Sequence, residues 1–111
     1  MQFDILTTFP NSFSYLSESI LKRAQSKGLV KINIYDLRKW TEDKRKTTDD
    51  KPFGGGAGML MKIEPIYKAL KSIGVYPKRD SKTKIILTSA RGKLWNQSIA
   101  NEYTQELERI V

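Results

Sequence analysis

Four of the chain's seven glycines fall between positions 54 and 58, within the run from Lys51 to Met59 that reads KPFGGGAGM. Such density calls for a backbone at positive φ or for very close approach of another group. Two readings fit Gly54, Gly55, Gly56 and Gly58: a cradle of backbone amides for an anion or cofactor, or a flexible turn. The run is not a P-loop, which needs Gly, four residues, Gly, Lys and Ser or Thr, and no strand immediately precedes it as in a dinucleotide fingerprint. Asp49 and Asp50 come just before it. Paired carboxylates can share a proton or hold a metal. Neighbours on an extended chain point apart, however, and such a pair commonly bridges to its own basic surroundings, here Lys44, Arg45, Lys46 and Lys51. Those cations are candidate phosphate contacts, with a solvated loop as the plain alternative. Trp40 and Phe53 flank the stretch and could stack on bases or anchor the loop to the core.

A second candidate is LTSARGK, Leu87 to Lys93, after the compact apolar run Ile85, Ile86 and Leu87. That run reads as a strand buried on both faces of a parallel sheet. Ligands in open parallel sheets sit beyond the carboxyl ends of strands, so Leu87, Thr88, Ser89, Ala90 and Gly92 are placed to line a pocket. An ordinary strand-to-helix turn is the other reading.

The chain has no cysteine and no histidine. Structural zinc and any Cys/His or Ser/His/Asp nucleophile are thereby excluded, leaving carboxylates, lysines or a partner to move protons. A magnesium-dependent phosphate-ester chemistry on Asp49 and Asp50 is kept as a weak alternative. Net charge is +8 over 111 residues, with the cations spread along the chain, which points to nucleic acid as the leading partner class. No apolar run is long enough to span a bilayer, and the N-terminus lacks a basic signal-peptide region, so no membrane partner and a cytoplasmic location are expected.

The elements that must position these groups follow from periodicity. Phe3 to Leu6 reads as a buried strand. Phe13, Leu16, Ile20, Leu21 and Ala24 follow helical spacing, broken near Ser17 to Ser19 and stopped at Lys27 and Gly28. Val30, Ile32 and Ile34 alternate as a second strand. Residues 36 to 58 read as a long functional loop. A helix from Glu64 and Pro65 runs to Gly74, and the polar stretch from Tyr76 to Thr83 is a surface connection. The buried strand at Ile85 follows. Leu94, Ile99, Ala100 and Tyr103 mark another helix, and Arg109, Ile110 and Val111 start a further strand. The sum is one α/β domain with a mainly parallel sheet flanked by helices. The abrupt apolar ending is read as a truncation.

Taken together, the motifs resemble those of the bacterial tRNA (guanine-N1) methyltransferases called TrmD, members of the knotted SPOUT class. The resemblance rests on Thr8, Phe9, Pro10 and Phe13 after the first strand, and on LRKWTEDKRKTTDDKPFGGGAGM against the family's Leu-Arg segment and VDDxPYGGGPGM. Leu87, Ser89, Gly92 and Gln97 match the family's LSPQG and following Gln. Order and spacing agree over the whole chain. The resemblance implies transfer of a methyl group from S-adenosyl-L-methionine to N1 of the guanosine 3′ of the tRNA anticodon, by a cytoplasmic homodimer. It implies a cofactor edge at Leu87, Thr88, Ser89, Ala90 and Gly92. Asp50, Gly54, Gly55, Gly56 and Gly58 would lie near the target guanine, and Lys44, Arg45 and Lys46 on tRNA phosphates. It places the catalytic base, most of the cofactor pocket, the trefoil knot and a C-terminal domain beyond Val111, so that residues 1–111 are an N-terminal part without activity alone. Ala57 and Ala90 stand where the family has prolines, Phe53 where it has tyrosine, and the basic stretch lacks the family's histidine. Each missing proline loosens its loop by about 0.4 to 1 kcal/mol. The competing reading is a non-catalytic RNA-binding or dimerisation module.

Overall fold

The computed structural model describes residues 1–77 and 80–111. Lys78 and Arg79, part of the expected surface connection, lie outside the described residues. Strand β1 (Gln2–Thr7) and strand β2 (Lys31–Asp36) pair in parallel, Gln2 opposite Lys31 through Thr7 opposite Asp36. The crossover between them is the helical stretch with the expected break. A 3-10 helix, Pro10–Ser17, takes proline in its first turn, and helix α1 (Ser19–Ser26) follows. Glu18 is extended and Ser19 has a φ of 50°, which ends one hydrogen-bonding pattern and starts the other. Gly28, at φ 68°, closes α1 in the left-handed conformation that a residue with a Cβ disfavours.

The expected long loop is partly ordered. Asp36 accepts the amide of Arg38 at 3.0 Å and caps a second 3-10 helix, Leu37–Trp40. Beyond a basic turn, β3 (Asp49–Asp50) and β4 (Leu60–Met61) pair antiparallel and form a short arm that carries the glycines at its end. Helix α2 (Ile63–Ser72) buries Pro65 and Ala69 and lies against the Leu37–Trp40 turn, so that Leu37 and Ala69 make one half of a small core. Among the described residues Val75 and Ile99 are the other buried apolar side chains.

The run expected to be a strand buried on both faces departs from that reading. Strand β5 is Thr83–Lys84, Ile85 is 43 % exposed and Leu87 is 83 % exposed. The cause is position: the sheet order is β2-β1-β6-β5, which makes β5 an edge strand. Its ladder with β6 (Arg109–Ile110) extends only as far as the bond from the Ile86 amide to the Val111 carbonyl, 2.7 Å. Helix α3 (Gln97–Glu106) starts three residues later than Leu94, because the Asn96 side chain caps the amide of Ile99 at 3.0 Å. All pairings in the four-stranded sheet are parallel, as expected for the fold class.

β6 sits between β1 and β5, and Asp4 on β1 is 2 % exposed. Its two carboxylate oxygens accept from Asn33 at 2.6 Å, Gln2 at 2.8 Å and Arg109 at 2.6 Å. Arg109 also donates to the Ile73 carbonyl at the end of α2, 3.0 Å away. One buried carboxylate therefore ties three strands and a helix together.

Candidate nucleic-acid interface

Parallel pairing throughout the main sheet puts the ends of β1, β2 and β5 on a single side. At the end of β1, Arg38 donates to the Thr8 carbonyl, and its guanidinium lies 5.6 Å from the centre of the Phe9 ring. Phe9 is 66 % exposed, so the other part of its surface is open for stacking. The sequence holds Arg38 in the Leu-Arg segment and Phe9 in the motif after the first strand without giving either a role; the parallel pairing of β1 and β2 is what brings the two together.

Leu87, Thr88, Ser89, Ala90 and Gly92, the candidate cofactor edge, are all exposed. The segment is a tight turn. Gly92 donates its amide to the Ser89 carbonyl at 3.0 Å, the Arg91 amide donates to the Ser89 hydroxyl at 3.2 Å, and a Cβ on Gly92 would meet the Ser89 oxygen at 3.1 Å. The turn begins at Ser89, on the carboxyl side of β5 but beyond its last residue, Lys84, rather than at the end of a buried strand as the sequence reading has it. It is three strand spacings from β2, about 14 Å across the sheet at ~4.8 Å per strand.

The other candidates gather elsewhere. A cleft of ≈ 530 Å³ opens between the Leu37–Trp40 turn, the arm and the start of α2. Asp50, Lys51, Trp40 and Phe53 line it, together with Lys62 and Lys68, which spacing alone did not single out. Lys68 pairs with Glu42, and the hydrogen bond from that lysine, with its charge, holds the Glu42 carboxyl below its usual range. Lys62 lies 4.0 Å from Asp50. Asp49 and Asp50 are successive residues of β3, whose side chains alternate between faces; Asp50 accepts from the Lys51 amide at 2.8 Å, and no group of three carboxylates suited to a metal occurs among the described residues.

Gly54, Gly55, Gly56 and Gly58 are exposed at the end of the arm, outside the lining of that cleft, and a Cβ at any of them would meet nothing within 4 Å. The demand for glycine is therefore one of backbone conformation rather than crowding. It is strongest at Gly56, whose φ of 119° lies outside even the left-handed helical region. Gly55 donates to the Pro52 carbonyl at 3.1 Å, while among the described residues the amides of Gly54, Gly56 and Gly58 have no acceptor. Phe53 beside them is completely exposed, as its 104 % relative area indicates.

Lys44, Arg45 and Lys46 project from an exposed turn at the root of the arm, next to Asp43 and Thr47, which line the cleft. Among the described residues none of the three cations stands in an ion pair. The arrangement thus offers free positive charge and aromatic surface at and beside one cleft, free backbone amides at the end of the arm, and a polar turn at the opposite edge of the sheet. Those are the group types that hold a polyanion and its bases.

Comparison with known proteins agrees with this geometry. A family described as tRNA (Guanine-1)-methyltransferase TrmD matches residues 1–111. A tRNA (guanine-N(1)-)-methyltransferase from Dictyoglomus turgidum is 50 % identical over 112 residues, covering 100 % of this chain and 44 % of the relative. One from Carboxydothermus hydrogenoformans is 49 % identical over 107 residues, covering 96 % and 40 %. The crystal structure of a tRNA (m1G37) methyltransferase from Aquifex aeolicus superimposes with a TM-score of 0.77 at 35 % identity, over 99 % of this chain and 49 % of that one. The chain spans less than half the length of these relatives. It belongs to the tRNA (guanine-1)-methyltransferase TrmD family.

Proposed function

We propose that residues 1–111 are the N-terminal part of a tRNA (guanine(37)-N1)-methyltransferase of the SPOUT class, a cytoplasmic homodimer with a trefoil knot. The enzyme moves a methyl group from S-adenosyl-L-methionine to N1 of the guanosine 3′ of the anticodon. The observation that carries this reading is the family match along the entire chain, joined to a superposition on a tRNA (m1G37) methyltransferase over 99 % of its residues.

The residues present fit one edge of a cofactor site. Leu87, Thr88, Ser89, Ala90 and Gly92 offer hydroxyls and backbone groups at a strand end, open to solvent, and would hold the nucleoside side of the donor. When bound, the cofactor supplies an electrophilic methyl group. The chain's other groups bind and orient RNA. Lys44, Arg45 and Lys46 neutralise backbone phosphates, Phe53 and Trp40 provide stacking surface, and the arm's free amides and Asp50 offer donors and an acceptor to a base edge. No catalytic residue is assigned within these 111 positions, and the chain alone is inactive in this reading.

The test is methyl transfer by a hybrid in which this chain is followed by the remaining length of the Aquifex aeolicus enzyme. It should label a tRNA transcript bearing G37 from tritiated S-adenosyl-L-methionine and leave the same transcript with A37 unlabelled. A folded hybrid that binds tRNA and transfers nothing would favour the non-catalytic RNA-binding module.

A further inference from the structure

The basic turn is built with a clamp. The Asp43 carboxylate accepts the Thr47 amide through both oxygens, at 3.0 and 3.1 Å, and the Thr47 hydroxyl at 2.7 Å. The Asp43 carbonyl accepts the Lys46 amide at 3.0 Å. Lys46 has a φ of 55°, a left-handed conformation that a residue with a Cβ adopts only where its surroundings impose it. The bonds to Thr47 hold the Asp43 carboxyl below its usual range, so the acceptor is charged at neutral pH. Both roots of the turn are fixed. Glu42 pairs with Lys68 on α2, and buried Thr48 accepts the Lys62 amide at 2.8 Å where the arm begins.

The consequence concerns the cations between those roots. A turn carrying three adjacent positive charges repels itself and would sample many conformations if left free. Instead the carboxylate faces Thr47 rather than pairing with Lys44, Arg45 or Lys46, so the charges remain available while the backbone beneath them is fixed. We propose that Asp43 and Thr47 are positioning residues that preorganise Lys44, Arg45 and Lys46 for the RNA backbone. The inference rests on the reading that this turn contacts RNA phosphates, and it deepens that reading by assigning an acidic residue a favourable part in binding a polyanion.

Simple electrostatics and preorganisation predict opposite signs. Removing Asp43 raises the net positive charge, which by itself tightens RNA binding. Loss of the clamp leaves the turn to be ordered on binding, which weakens it. The test is fluorescence anisotropy of a labelled anticodon stem-loop RNA bound to the chain between 25 and 200 mM salt. D43A and T47V should each weaken binding, by about three- to tenfold and about two- to threefold respectively, because an ordering cost is added, while the dependence on log salt stays close to that of the native chain. T47S, which keeps the hydroxyl, should restore native affinity. The triple variant K44A/R45A/K46A should instead flatten the slope by roughly two to three units. If the triple variant weakens binding and D43A binds as tightly as the native chain or tighter, the clamp is refuted and the phosphate contacts stand. If the triple variant changes neither affinity nor slope, both are refuted.

Discussion

Among individual residues, Asp4 shows how a buried charge is made acceptable. Burial drives its carboxyl pKa upward, yet hydrogen bonds from Asn33, Gln2 and Arg109, with the charge of Arg109, outweigh that and leave it below the usual value. Replacing Asp4 with Asn leaves the Arg109 guanidinium without its counter-charge between three strands, and should cost about 2 to 3 kcal/mol in urea unfolding at pH 7. The sign of the pH dependence follows from the direction of the shift. A carboxyl depressed on folding stabilises fully above its unfolded value, near pH 3.9, and that contribution is lost as pH falls through the lower folded value. The native chain should therefore lose stability more steeply than D4N below about pH 4. Parallel acid limbs for the two proteins would remove Asp4 from this role.

For the elements, start and stop chemistry decides more than hydrophobic period. Asn96→Ala removes the cap of α3 and should lower stability by about 1 kcal/mol, with loss of helical ellipticity that a glycine at the same site largely avoids. An unchanged unfolding midpoint would mean the cap contributes nothing. The same chemistry explains what the sequence made legible. The parallel strands at Phe3 and Ile32, the stops at Gly28 and Gly74, and the break near Ser19 were all readable, because each depends on neighbours in the chain. The β3–β4 arm was not, since two-residue strands carry no period, and neither was the late start of α3, where Asn96 outcompetes the apolar Leu94 and Trp95. Ile85 to Leu87 has the composition of a central strand, but composition does not reveal which strands lie on either side. At the site, charge density marked Lys44 to Lys46, whereas Lys62 joins the cleft through the pairing of the arm and Lys68 because α2 lies beside it.

The whole molecule is extended for its size. Its radius of gyration is 15.9 Å with extents of 47 × 28 × 27 Å, against about 13 Å for an ordinary compact domain of this length. Leu87 and Leu94 are 83 % and 84 % exposed beside the edge strand, and Met59, Leu60, Met61 and Ile63 are more than half exposed on and after the arm. Exposed apolar surface of this kind is typical of protein–protein contact, and the chain spans 44 % of its Dictyoglomus turgidum relative. In the proposed function this chain supplies one wall of a methyl-donor site and does not bind the donor alone. The decisive experiment is calorimetric titration of S-adenosyl-L-methionine into the 111-residue chain and into the hybrid with the rest of the Aquifex aeolicus enzyme. Saturable heat from the hybrid and none from the chain is the predicted result; binding by neither folded protein, or equal binding by both, would contradict it.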